Sequence, residues 1–187
     1  MTMQDFYGLA VLFSLTAPFT VFVYLVALLL IRPSWKAFLA SLLGGLVMGL
    51  INLSTDLAAY YAHWWHYTLK ELILHLPLPF YMIPILIYGS MVYLLIWRFL
   101  RGRWHWVARL LLFGLPIFGI VRDIINERIG ASYIAWDSLW AVPVTIVMWP
   151  LMFYAGYLLF ARLAPSRMGA ETEQQRDEAG HVQKVVQ

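Results

Sequence analysis

The sequence predicts an all-α membrane protein: a polytopic bundle of five transmembrane helices. Three observations carry that prediction. Apolar residues make up 62% of the 187-residue chain and charged residues 12%, with a mean hydropathy of +0.72; soluble domains run at roughly 45–50% and 25%. Five apolar runs are each long enough to cross a ~30 Å hydrocarbon core, which takes about 20 helical residues. The basic residues fall mostly in the gaps between those runs, on alternate sides. A chain this apolar lacks the polar surface to coat a water-soluble globule. Soluble enzymes and nucleic-acid partners are therefore excluded, despite a formal charge of +3 and a pI near 9.2. The chain has no cysteine, which removes disulfides, thiolate chemistry and Cys-ligated metals.

The five spans are expected over residues 6–31, 37–62, 79–100, 106–126 and 139–163. Helices are required because a single run of this length satisfies its own backbone groups in lipid, whereas barrel strands are half as long. The first span is not read as a cleavable signal: it has no basic n-region, Asp5 precedes it, and its apolar stretch is too long. Ten basic residues (Arg32, Lys36, Arg98, Arg101, Arg103, Arg109, Arg162, Arg167, Arg176 and Lys184) fall on one side and three (Lys70, Arg122 and Arg128) on the other. By the positive-inside rule the chain is a multi-pass cell-membrane protein with its N-terminus outside and its C-terminus cytoplasmic. Residues 1–163 form the membrane domain. Residues 164–187, where Glu171, Glu173, Gln174, Gln175, Arg176, Asp177 and Glu178 follow closely on one another, read as a disordered cytoplasmic tail.

Pro18, Pro116 and Pro150 lie deep in their spans, where each is expected to kink the helix and free a carbonyl. The second span carries Ala37, Ser41, Gly45 and Gly49 at every fourth position, a small-residue face with a GxxxG element. Such a face allows close helix contact, either within the chain or with a homo- or hetero-oligomeric partner. Further along lie Asn52, Asp56, Tyr60 and His63, a polar stripe leading to the interfacial belt His63-Trp64-Trp65-His66-Tyr67. The fourth span ends on the same side with Arg122, Asp123, Asn126, Glu127 and Arg128, and the next loop adds Tyr133, Trp136 and Asp137.

An ionisable residue inside a membrane marks function by default. Asp56, Asp123 and Glu127 are the candidate acids. Asn52, Tyr60, His63, Trp65, His66, Tyr67, Arg122, Asn126 and Trp136 are the candidate ligand contacts. The competing structural reading is an Asp56–Arg122 ion pair with solvated charges at the helix ends. His63 and His66 are spaced for a metal, but the chain has neither HExxH nor a multi-histidine box, so no metal and no cofactor are expected.

The chain also echoes itself. Asp56, Trp64-Trp65-His66-Tyr67 and Pro84-Ile-Leu-Ile-Tyr88 are followed by Asp123, Tyr133-Ile-Ala-Trp136 and Pro150-Leu-Met-Phe-Tyr154, as a degenerate internal repeat would be. Over about 27 residues (Thr55-Asp56, Trp64-Trp65-His66-Tyr67, then Pro77-Leu78-Pro79-Phe80-Tyr81) it resembles the small integral-membrane lycopene cyclases of the heterodimeric bacterial type. The resemblance implies a site for an isoprenoid- or carotenoid-like molecule in the outer half of the bilayer. Where that family carries its acid this chain has Pro79, so Asp56 and Asp123 are the acids left, and enzymatic activity stays open. Two other classes remain. One is a non-catalytic subunit or assembly partner held through the small-residue face. The other is a small-solute or proton transporter, against which stands the lack of a charged pathway through the inner half.

Overall fold

The computed structural model describes residues 3–68, 74–100, 103–130 and 133–165, with side chains described from residue 13 onward, residue 15 excepted. The tail from residue 166, together with Asp5, Lys70 and Arg101, lies outside that description. Among the described residues the fold is all-α, five helical rods, and the two longer connections each carry a short strand. They are α1 (Met3–Ile31), α2 (Trp35–Tyr61), a third rod over Leu78–Phe99, α4 (His105–Arg128) and α5 (Ala141–Leu163). Three of them, Trp35–Tyr61, Leu78–Phe99 and Ala141–Leu163, are long and apolar enough to cross a membrane, and α1 contains the shorter apolar stretch Thr16–Ile31. The expected boundaries agree with these rods to within three residues.

Local chemistry sets the ends. Ser34 caps α2, its side chain accepting from the Ala37 amide at 3.4 Å. At the other end His63 adopts φ +54°, and this left-handed residue turns the chain back over the helix. The third rod departs from the plain helix expected there. A 3₁₀ turn, Leu78–Tyr81, leads into a π-helix, Ile83–Met91, and only then into regular α-helix, α3 (Val92–Phe99). Pro79 and Pro84 lack the amides that a regular ladder would use there, so the wider winding begins where the ladder is already interrupted. Pro18, Pro116 and Pro150 all lie within helices that run on past them.

The belt segments are not simple interfacial loops. Trp65–Tyr67 (β1) and Ile134–Trp136 (β2) pair as antiparallel strands in the register Trp65↔Trp136, His66↔Ala135 and Tyr67↔Ile134. This ribbon closes one end of the bundle. It follows α2 in one half and α4 in the other, so the two halves meet at their strands.

The core lies where α2, the third rod and α5 meet. Tyr93 is fully buried there, donating to the Phe153 carbonyl at 2.8 Å and contacting Met48 Sδ at 3.7 Å. The small-residue face is filled from within the chain. A Cβ on Gly45 would strike the Ile85 carbonyl and come within 3.0 Å of the Ser90 amide, and one on Gly49 would strike Ile85. Ala37 and Ser41 are wholly buried as well. Gly44, one residue off the expected stripe, makes the matching close approach to Gly156 of α5.

Candidate functional site

Two carboxylate clusters lie near the ribbon end. The first is built on Asp56, only 4% exposed. Its Oδ1 accepts from Trp65 Nε1 at 3.1 Å. Its Oδ2 accepts from the Tyr67 hydroxyl at 2.8 Å and the Tyr81 hydroxyl at 2.6 Å. Alternation along β1 explains why two of these donors arrive together. Trp65 and Tyr67 share one face of the strand and point at Asp56, while His66 points the other way, with Nδ1 2.9 Å from Asp137. Burial, and then the adjacent Asp56 carboxylate, hold the Tyr67 phenol well above its ordinary range, so it stays protonated and remains a donor.

The second cluster surrounds Asp123. Arg122 Nε and Nη2 both reach Asp123 Oδ1, at 2.9 and 2.6 Å. Trp149 Nε1 of α5 donates to Oδ2 at 2.7 Å. Arg122 Nη1 donates to the Tyr88 hydroxyl at 2.8 Å, and the guanidinium carbon sits 5.5 and 5.3 Å from the Tyr88 and Trp149 ring centroids. Cation–π attraction to both rings thus helps hold the arginine while the carboxylate holds its edge. This cluster is more open than the first, with side chains 33% and 19% exposed for Arg122 and Asp123.

The Asp56–Arg122 ion pair expected from the sequence does not form: Arg122 pairs with its own neighbour, and Asp56 is held by neutral donors. The Asp56 donors come from the ribbon strand that follows α2 and from the third rod, whereas Arg122 lies in a helix that reaches the third rod further along, at Tyr88. One rod holds both clusters, through Tyr81 and Tyr88.

Of the other candidates, Trp136 sits opposite Trp65 in the ribbon and packs in a small apolar cluster with Ala59 and Ala141. Asn52 is half-buried one turn below Asp56, and Asn126 and Glu127 are half-buried along α4 beyond Asp123. His63 lies exposed on the turn, off the polar stripe. Tyr60 stacks on His75 at 3.9 Å between centroids, away from Asp56. Tyr81, Tyr88 and Trp149 were not among the candidates. Tyr88 stands in the repeated Pro-to-Tyr segment and Trp149 directly precedes Pro150, but nothing in their spacing marks them as partners of an acid. Among the described residues no three His, Asp or Glu side chains come together to hold a metal. An open groove of about 420 Å³ runs along the outward face of α2, lined by Leu50, Ile51, Ser54, Thr55, Ala58 and Trp64.

No protein-family model matches the chain, and no curated protein or solved structure shows significant similarity to it.

Gly119 is the steric condition for the second cluster, because a Cβ there would overlap the Trp149 indole. Gly119→Ala is therefore expected to push the indole off Asp123 and lower the melting temperature in detergent. Trp149→Phe should cost about 1–3 kcal/mol, as for a hydrogen bond to a charged group. The two effects should be less than additive, because the smaller ring already vacates the space. Full additivity would separate Gly119 from the Trp149–Asp123 contact.

Proposed function

We propose that this chain is a five-span integral protein of the cell membrane, N-terminus outside, with a site for a lipophilic isoprenoid- or carotenoid-like molecule in the outer half of the bilayer. The five-span reading adds α1 and α4 to the three helices that qualify by length and hydropathy. At 24 residues α4 spans about 36 Å, and its charges lie toward its two ends, leaving residues 110–121 free of them. The basic side then faces the cytoplasm and the ribbon closes the outer end. Two halves, each a helix, a strand and a second helix, are consistent with a degenerate duplication. A C-terminal fusion to green fluorescent protein is expected to fluoresce and one to alkaline phosphatase to stay inactive. The opposite pattern overturns the orientation.

The observation that carries the ligand reading is Asp56: a buried carboxyl group in a helix long and apolar enough to span a membrane, held by one indole and two phenols and, among the described residues, by no cation. A charge placed so deep is expensive, and retaining it without an ion pair favours a functional acid. Its aromatic neighbours present flat apolar faces to a long unsaturated chain and suit a cationic centre formed on it. We take the half-open Arg122–Asp123 pair, tied to the same rod through Tyr88 as Asp56 is through Tyr81, as the polar end of the same site. Chemistry on the ligand is one step further, and Asp56 or Asp123 is the group to deliver the proton.

Purification in mild detergent, followed by absorption and mass spectra of the copurifying material, tests this directly. A polyene or prenyl lipid retained by the wild type and lost in Asp123→Asn supports the reading. Material indistinguishable from bulk membrane lipid overturns it.

A further inference from the structure

The end of the bundle away from the ribbon carries no acid among the described residues, because Asp56, Asp123, Glu127 and Asp137 all stand toward the ribbon. What that end carries is arginine and tryptophan. Between α3 and α4, Arg103, Trp104, His105 and Trp106 follow one another, all exposed, with the two indoles 6.1 Å apart. Arg109, one turn into α4, is exposed as well. Neither Arg103 nor Arg109 makes an ion pair or a side-chain hydrogen bond among the described residues.

The setting of Arg109 makes it more than a solvated charge. Trp106, Arg109, Leu110 and Phe113 stand at i, i+3, i+4 and i+7, so they share one face of α4. The three apolar members of that face are each more than half exposed, whereas Ala108 beside them is wholly buried. At the helical rise Arg109 lies about 6 Å along the rod from His105, with exposed apolar side chains before and after it. A guanidinium at the rim of an apolar face needs a counter-charge, and no described residue supplies one. A lipid phosphate does: it sits at the depth where tryptophans anchor, and its oxygens match the guanidinium fork.

We propose that Arg103 and Arg109 bind the headgroup of an anionic glycerophospholipid, whose acyl chains cover Leu110 and Phe113. Two unpaired cations with no acid beside them favour a headgroup of net negative charge over a zwitterionic one. The acidic stretch at 171–178 offers the same charge, but a polar segment leaves the apolar face uncovered. The proposal rests on the membrane reading of α4 above. It does not depend on orientation, since either leaflet can supply such a lipid, or on a ligand at Asp56.

The test uses the full chain, stripped of lipid in mild detergent, with dioleoylphosphatidylglycerol or dioleoylphosphatidylcholine added and bound lipid counted by native mass spectrometry. Phosphatidylglycerol is expected to be retained the more tightly. Arg103→Gln and Arg109→Gln should each weaken its binding about fivefold and the double variant about thirtyfold, the effect of one and two basic residues at a lipid surface. Arg128→Gln removes the same charge from an exposed position at the far end of α4 and should leave binding unchanged. Equal retention of the two lipids overturns the proposal. So does equal weakening by Arg128→Gln, which would reduce the effect to diffuse attraction. Undiminished binding in the double variant also overturns it and leaves the arginines to solvent or to the stretch at 171–178. A protein that stays monodisperse without detergent would instead overturn the membrane reading, and this proposal with it.

Discussion

Asp56→Leu is expected to abolish the folded protein or lower its melting temperature in detergent by about 10 °C or more. The substitution leaves the Trp65 indole and the Tyr67 and Tyr81 phenols without their acceptor. Each orphaned buried donor costs about 1–3 kcal/mol, and for a chain of this size each kcal/mol is worth roughly 2–4 °C. The loss is structural as well as local, because those donors tie the ribbon and the third rod to α2. Tyr67→Phe and Tyr81→Phe should each cost only about 1 kcal/mol, since Asp56 keeps its other donors. Asp56→Asn, which retains one acceptor oxygen, should fall between. Thermal unfolding of this series is the measurement. Equal stability of Asp56→Leu and Tyr81→Phe would show that the carboxylate does not organise the ribbon end.

Gly45→Leu is expected to separate α2 from the third rod. A Cβ at position 45 already strikes the Ile85 carbonyl, and one on the facing Gly89 would come within 2.6 Å of the Gly45 Cα. Both obstacles are backbone, which cannot turn aside as a side chain would. The Ile85 carbonyl and Ser90 amide beneath Gly45 are five residues apart, the spacing of a π-helical turn, so the glycine lies directly against the wide part of the third rod. Leucine there should break the adjacent Ser41–Ser90 contact, and the protein should elute as aggregate. Gly114→Ala is the control. Its Cβ would meet only Leu110, at 3.6 Å, and alanine is the better helix former by about 1 kcal/mol. A folded, monodisperse Gly45→Leu would show that the two rods need not touch.

Hydropathy alone located the five rods, because span length is a property of the solvent the helix must cross and is written locally in the chain. The small-residue face was legible for the same reason: a four-residue spacing places Ala37, Ser41, Gly45 and Gly49 on one side of a helix whatever lies opposite. The third rod was not. Pro79 and Pro84 stand near its start, where proline costs a helix little, and a π-helix of nine residues depends on the room that Gly45 and Gly49 make for it. The ribbon was equally hidden, since the strand pair Trp65–Tyr67 and Ile134–Trp136 forms only when two loops far apart in the chain meet.

The sequence by itself determined that the chain is an all-α bundle with helices long and apolar enough to cross a membrane, which rods compose it, and that acids collect toward one end. Those properties rest on composition and periodicity, which need no partner. Which acid pairs with which donor was decided by the tertiary structure alone. Asp56 and Arg122 are opposite charges and invite pairing, yet β1 delivers Trp65 and Tyr67 to Asp56, and the third rod delivers Tyr81 to it and Tyr88 to Arg122. Hydrogen-bond partners are set by where rods cross in space, over distances of a few ångströms. No local pattern in the chain encodes that crossing.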